Sequence, residues 1–224
     1  MATLAFDVYG TLINTYGMVD LLKTYIGEDK AMPFATMWRD KQLEYSFRRS
    51  MMERYEPFYT CTSNALDYCM QAFAVELPSD QYFSLIKRYQ NLPAFKDVVP
   101  ALQALNRRND LELYALTNGP YEDIVKLFEA DDINQYFKDI VSVDEIRKYK
   151  PDPAVYQHFL QRSGASGDDA WLISGNAFDV IGARNAGLNS IWLRRSEQQL
   201  MDSWGDRPNH TIQSLGELEG LFRT

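Results

Sequence analysis

Short apolar runs alternate with helix-length segments along most of the chain, and the alternation breaks only once. Residues 4–6, 111–116, 140–143, 170–173 and 190–193 have the mostly apolar character of strands buried on both faces. Between them the sequence predicts helices. One starts at Pro100 and runs through Leu102 and Leu105, and one opens at Pro120 with Ile124, Leu127 and Phe128 at helical spacing. Two more cover 151–160, closed near Gly164, and 177–186, ended by Gly187. Parallel strands cannot be joined by tight turns, so each pair needs a crossover, usually a helix. Right-handed crossovers then place helices on both faces of one parallel sheet.

The break falls between residues 14 and 93, where helix follows helix with no convincing strand. Residues 37–52 read as a long amphipathic helix. Ser63 and Asn64 offer caps to a helix through Leu66, Cys69 and Phe73, and Ser79-Asp80 open another with Phe83, Ile86 and Tyr89 on one face. The expectation is an α/β fold: a parallel-sheet core of residues 1–13 and 95–224, with a helical cap of residues 14–94 inserted after the first strand. The segment 196–208 reads as loop.

Charge and composition narrow the function. Against 31 acidic residues stand 23 basic ones, a net charge of −8, and Arg48, Arg49 and Arg54 are interleaved with Glu53 and Glu56. Such a chain repels nucleic acid, and no apolar run approaches the roughly 18 residues of a membrane span. Residues 1–6 run straight into a strand without a basic head or cleavage site, so a secretory signal is not expected. Cys61 and Cys69, on one helix, suit neither a zinc clip nor a CxxC pair and read as reduced thiols of a cytoplasmic protein. His158 and His210 are the only histidines, which leaves histidine zinc sites and Ser-His-Asp hydrolysis poorly supplied. Patterns for nucleotide-binding loops, zincins and serine hydrolases are absent.

In an open parallel sheet, ligands bind beyond the carboxyl ends of the strands. Those ends carry Asp7-Val8-Tyr9-Gly10-Thr11, Thr117-Asn118-Gly119, then Lys150-Pro151-Asp152 after a loop, and Ser174-Gly175-Asn176 with Asp179 close behind. A carboxylate, a hydroxyl with an amide, an ammonium and a second carboxylate thus converge on one edge. In this order and spacing the four segments resemble the haloacid dehalogenase superfamily over nearly the whole chain. Asp7 stands at its aspartate nucleophile, Thr117 at its second motif, Lys150 at its third and Asn176 to Asp179 at its fourth.

The magnesium-dependent phosphatases of that superfamily carry DxDxT, where this chain has Tyr9, and a carboxylate where this chain has Asn176. Asp7 and Asp179 still offer two hard ligands, so a Mg²⁺-dependent phosphohydrolase is the alternative reading. A catalytically silent member that binds a small acid or a partner is a third. Asp7 to Thr11 with Ser174 to Asp179 resembles the L-2-haloacid dehalogenase subfamily, and so do the cap segments 38–45 and 54–58 and the stretch 149–156. Thr117, Gly175 and Phe178 replace residues more common there, and Asp40 places an acid beside Arg39.

The resemblance implies a Rossmann-like core, a cap of the four-helix-bundle type, no metal or organic cofactor, and a short 2-haloalkanoate as substrate. It implies that Asp7 displaces halide to form an ester, with Thr11 orienting it and Lys150 keeping it ionised and binding the substrate carboxylate. Asp179 would activate water, held by Ser174 and Asn176. Arg39 and Asn118 would take the halide, and Thr117 the substrate carboxylate or the ester oxygen. Tyr156 would lock the lysine, and Tyr9, Phe58 and Phe178 would wall the pocket. Family members are commonly homodimers, which makes that the expected assembly.

Overall fold

Strand β1 (Ala2–Phe6) buries Leu4, Ala5 and Phe6 completely, and it can do so only with sheet neighbours on both edges and helices on both faces. In the computed structural model, which describes residues 1–222, it lies between β2 (Leu111–Thr117) and β4 (Ala170–Ser174), parallel to both. Beyond β2 lies β3 (Asp139–Ser142), and beyond β4 lie β5 (Asn189–Leu193) and β6 (His210–Ile212), giving the order β3-β2-β1-β4-β5-β6. The chain therefore winds outward from β1 in both directions, which opens a crevice at the carboxyl end of the central strands.

Helices α5 (Val98–Asn106), α6 (Tyr121–Ala130), α7 (Pro153–Ser163), α8 (Ala177–Asn185) and the short α9 (Leu218–Leu221) accompany the sheet. Ile124, Leu127 and Phe128 are all fully buried, as their spacing requires, and Gly164 closes α7 in the left-handed region. Between β1 and β2 stand α1 (Val19–Ile26), α2 (Glu28–Met51), α3 (Phe58–Ala72) and α4 (Ser79–Tyr89). Helix α2 packs against α1 and α3, and α4 returns to α1, so the inserted helices share an apolar interior. Trp38 lies at its centre, with its indole N–H donating to Thr62 O at 2.9 Å and its ring 5.7 Å from that of Tyr89. No helix among the described residues is long and apolar enough to cross a membrane.

Several local expectations need correcting. The long helix begins at Glu28 rather than residue 37 and carries Pro33 inside it, where a proline normally argues for a break. Ser63 and Asn64 cap nothing. Helix α3 already starts at Phe58 after Pro57, Ser63 Oγ donates to Tyr59 O, and Asn64 accepts from Arg49. On α4, Phe83 is 62% exposed, and Leu85 joins Ile86 and Tyr89 on the buried face. Helix α1 and the edge strand β6 lay unread in the sequence, both being short with mixed polarity.

Trp38 supplies the largest fully buried side chain, and Trp38→Ala leaves a void that flanking rings cannot close. Urea titration should show a loss of about 3–5 kcal/mol, with little change for a surface control such as Glu76→Ala.

Candidate active site

The register decides what meets at the sheet edge. Phe6 lies opposite Ala115 and Ile173, so Asp7 emerges level with Leu116 and Ser174, and its N–H closes the ladder on Ile173 O at 3.0 Å. The chain then turns sharply: Thr11, Leu12 and Ile13 N–H groups all donate to Val8 O. Gly10 makes this possible at φ +87°, in the left-handed region. Gly175 is needed for a different reason, since a Cβ there would stand 2.5 Å from Gly10 O. Its absence lets the end of β4 press against the β1 turn, where Gly175 N–H donates to Thr11 Oγ1 at 2.8 Å.

Asp7 is 7% exposed, and donors hold both its carboxylate oxygens. Thr11 Oγ1 donates to Oδ2 at 2.6 Å, and Asn176 Nδ2 reaches the same oxygen at 2.7 Å. Lys150 Nζ donates to Oδ1 at 3.1 Å. The ammonium is itself 1% exposed, and its other two N–H bonds go to Asp179 Oδ2 at 2.8 Å and Leu116 O at 2.7 Å. Burial alone would pull the Lys150 pKa down, but Asp179 and Asp7 outweigh it and hold it above the ordinary lysine value. With three protons on three protein acceptors, Lys150 has none left for a substrate carboxylate.

Asp179 sits fully buried in the first turn of α8. Burial pushes its carboxyl above the ordinary value, Lys150 pulls it back, and Asp7 adds to the rise. Tyr156, expected to hold the lysine, instead donates to Asp179 Oδ1 at 2.8 Å. Its phenol is kept protonated by burial and by that same carboxylate, so it acts as a fixed donor. Asn176 does not hold Asp179 either. It occupies the N-cap position of α8 without capping it, because its amide is spent on Asp7 and on Tyr9 O at 3.0 Å. Ser174 Oγ accepts from Asn176 N and so orients that residue.

Thr117 is fully buried, with Oγ1 accepting from Gly119 N at 3.0 Å, and Asn118 Oδ1 accepts from Lys150 N at 3.0 Å. From α2, Arg39 crosses to the β1 turn and donates through Nη2 to Tyr9 O at 3.2 Å. Tyr9 and Phe58 are buried with ring centres 5.7 Å apart, and Phe178 lies edge-on to Phe47 at 5.0 Å. All thirteen candidate residues thus lie along the carboxyl edge or on the helices above it.

Sequence reasoning assigned no role to the residues that hold the arginine. Gln42 is fully buried and accepts from Arg39 Nη1 at 2.8 Å and from Tyr89 OH at 2.6 Å, while its amide donates to Thr62 Oγ1 at 2.6 Å. Its position three residues after Arg39, on the same helix face, was the available signal. Arg195 was also passed over. It donates to Thr11 O from Nε and Nη2, pairs with Asp97 at 2.9 Å, and so anchors the turn after β1.

The donor set does not fit magnesium. The space between Asp7 and Asp179 is taken by the Lys150 ammonium, and the space between Asp7 Oδ2 and Tyr9 O by the Asn176 amide N–H. A hard cation needs oxygens at those points, and this site presents hydrogens.

Because the Tyr156 hydrogen bond lowers the Asp179 pKa, Tyr156→Phe should shift that titration to higher pH. Carbon-13 NMR of the labelled carboxyl checks the direction.

Known proteins match this chain nearly end to end. Residues 1–187 match the family described as haloacid dehalogenase-like hydrolase. The (S)-2-haloacid dehalogenase 2 of Pseudomonas sp. strain CBS-3 is 34% identical over 97% of this chain and 93% of its own. The haloacetate dehalogenase H-2 of Moraxella sp. strain B is 33% identical, over 98% of this chain and 96% of its own. The solved structure of L-2-haloacid dehalogenase from Xanthobacter autotrophicus with chloropropionic acid covalently bound superposes with a TM-score of 0.91 at 25% identity, covering 99% of this chain and 98% of that one. By sequence, by sheet order and by the residues at the sheet edge, this chain belongs to the haloacid dehalogenase-like hydrolase family.

Proposed function

We propose that this protein hydrolyses short L-2-haloalkanoic acids to D-2-hydroxy acids and halide through an ester on Asp7. The observation that carries the reading is the buried Asp7 carboxylate, held between Thr11, Asn176 and the Lys150 ammonium with no room for a cation. A carboxylate in such a site faces the ammonium and is stripped of the water that would blunt it in bulk solution. Asp7 attacks C2 on the side away from the halogen, forming a C–O bond as the C–X bond breaks. Inversion at C2 follows from that geometry. Water, giving one proton to Asp179, adds to the ester carbonyl; the alkoxide leaves and takes up that proton, and the second proton of the water passes to solvent as Asp7 is regenerated as carboxylate.

Arg39 supports the first step. Gln42 fixes its guanidinium at the β1 turn, where it meets charge developing on the halogen without having to reorganise. Residues 14–94 serve in this reading as the cap and residues 1–13 and 95–224 as the core, so that Arg39 and Phe58 come from one and the nucleophile from the other. Thr117, with Oγ1 accepting from Gly119 N, keeps its own hydroxyl proton for the substrate carboxylate. Asp179 supports the second step. Lys150 and Tyr156 fill two of its roughly four lone-pair sites, which leaves acceptor capacity for a water. The two buried free thiols suit a reducing cytoplasm. The phosphohydrolase reading is not favoured, since Tyr9 offers no acid for a leaving alcohol and burial raises its phenol further.

Halide release from separate L- and D-2-chloropropionate, in EDTA, tests the reading. The L acid alone should be consumed, chelator should have no effect, and Asp7→Asn should lose the activity. Phosphate-ester hydrolysis appearing only on addition of Mg²⁺, without halide release, would overturn it.

The pH profile follows from the two perturbed groups. Asp179 must be ionised to activate water, and its raised pKa puts the acid limb of kcat above the ordinary carboxylate value of 3.8. Lys150 is raised above 10.5, so it sets no alkaline limb below that pH. Steady-state rates between pH 4 and 10 should show a single acidic limb, and that limb should move upward in Tyr156→Phe.

A further inference from the structure

Arg39 is half-buried on α2, and its long side chain is tethered at the tip. Nη1 donates to Gln42 Oε1 at 2.8 Å and Nη2 to Tyr9 O at 3.2 Å. The other N–H groups of the guanidinium find no acceptor among the described residues, so they are free to meet an anion. Gln42 is fully buried and is itself held from two further helices. Its Oε1 also accepts from Tyr89 OH, at the end of α4, at 2.6 Å. Its Nε2 donates to Thr62 Oγ1 of α3 at 2.6 Å, and Thr62 gives its own proton to Phe58 O at 2.9 Å. This order of donors fixes which way the amide points, since a reversed amide would turn its NH₂ towards two donors. Tyr89 reaches the arginine by a second route as well. Its ring lies 5.8 Å from that of Tyr9, whose carbonyl takes the other guanidinium nitrogen.

We infer that Gln42 and Tyr89 are positioning residues that set which halides this protein can expel. The inference rests on the proposed dehalogenation and names the groups that grade its leaving halide. Neither residue touches the reacting atoms; both act through the place they give Arg39. A donor aimed in advance at developing charge costs no reorganisation when the bond breaks, and that advantage is lost when the donor can swing. Chloride leaves with a stronger bond to break and its charge packed into a smaller ion, so its departure leans on the guanidinium more than that of bromide. Loosening the arginine therefore penalises the poorer leaving group first. Buried polar networks are held jointly by their members, so Tyr89, two hydrogen bonds away from the guanidinium, still bears on where it points.

The test is single-turnover halide release from L-2-bromopropionate and L-2-chloropropionate in the wild type, Gln42→Met, Gln42→Glu and Tyr89→Phe. Gln42→Met fills the space and drops the hydrogen bonds, so chloride release should slow by up to about a hundredfold. Bromide release should slow less, raising the bromide-to-chloride ratio, while the rate constant for ester hydrolysis stays at its wild-type value. Gln42→Glu keeps an oxygen for both donors and should recover part of the loss. Tyr89→Phe removes one donor, keeps the ring, and should move the ratio the same way by less. A residue that only fills the interior gives the reverse order, with methionine tolerated and a buried carboxylate harmful. Nitrogen-15 NMR of the Arg39 guanidinium reads the tether without turnover: rotation about Nε–Cζ should be slow in the wild type and fast in Gln42→Met. An unchanged halide ratio in Tyr89→Phe and in folded Gln42→Met overturns the inference and leaves the reaction standing; should Gln42→Met fail to fold, Tyr89→Phe decides. No halide release from either acid by the wild type overturns the reaction itself, and the NMR comparison then still decides whether Gln42 holds the arginine.

Discussion

A buried ammonium organises this molecule. Lys150 has three protons and three acceptors, and each acceptor comes from a different strand end: Asp7 after β1, Leu116 in β2, Asp179 after β4. Removing a charge from water costs several kcal/mol unless its partners are placed well, so the fold must deliver all three acceptors to within hydrogen-bonding distance. Strand register sets Asp7 level with Leu116, and the first turn of α8 brings Asp179 to the same point. The lysine is therefore a structural cross-link and an electrostatic device at once. All three of its protons go to protein acceptors.

The division of labour around it follows from chemistry. Groups that must not move are built on the sheet edge: the Asp7 carboxylate and the Asn176 amide sit one and two residues past strand ends, and the Thr11 hydroxyl sits in the tight turn after β1. From the helices above comes Arg39, braced by Gln42, which is braced in turn by Tyr89 and Thr62. Gln42, Thr62 and Tyr89 are buried in this second network, so each of their polar atoms needs its partner, while Arg39 is half-buried. It ties α2, α3 and α4 together at the point where they face the core.

The sequence revealed the parts of this design that depend on pattern and hid those that depend on partners. Alternating apolar runs showed the sheet, and the polar residues after them showed the edge where chemistry sits. Asp7, Thr11, Lys150 and Asp179 could be nominated because each follows a strand or its loop. Their pairings could not be read, since Tyr156 and Asn176 choose between carboxylates a few ångströms apart, and only packing settles which. Gln42 looked like an ordinary polar position on a charged helix. Pro33 hid the start of α2, since proline in a helix is unfavourable in isolation and is tolerated here by the packing of Phe34 and Trp38. Ser63 and Asn64 misled because hydroxyl and amide side chains favour helix starts but also bond well within a helix or across to a neighbour.

The bare α-carbon at position 175 has a consequence for how such a site can change over time. Because the end of β4 rests against the carbonyl of Gly10 with no space for even a methyl group, the turn after Asp7 and the first turn of α8 are set as one block. Any side chain introduced there would move both halves of the chemistry together. The inserted helices meet that block mainly through hydrogen bonds and aromatic faces, which can be redrawn one residue at a time. Lineages on this scaffold are thus free to exchange the acids they accept while their bond-breaking apparatus stays frozen.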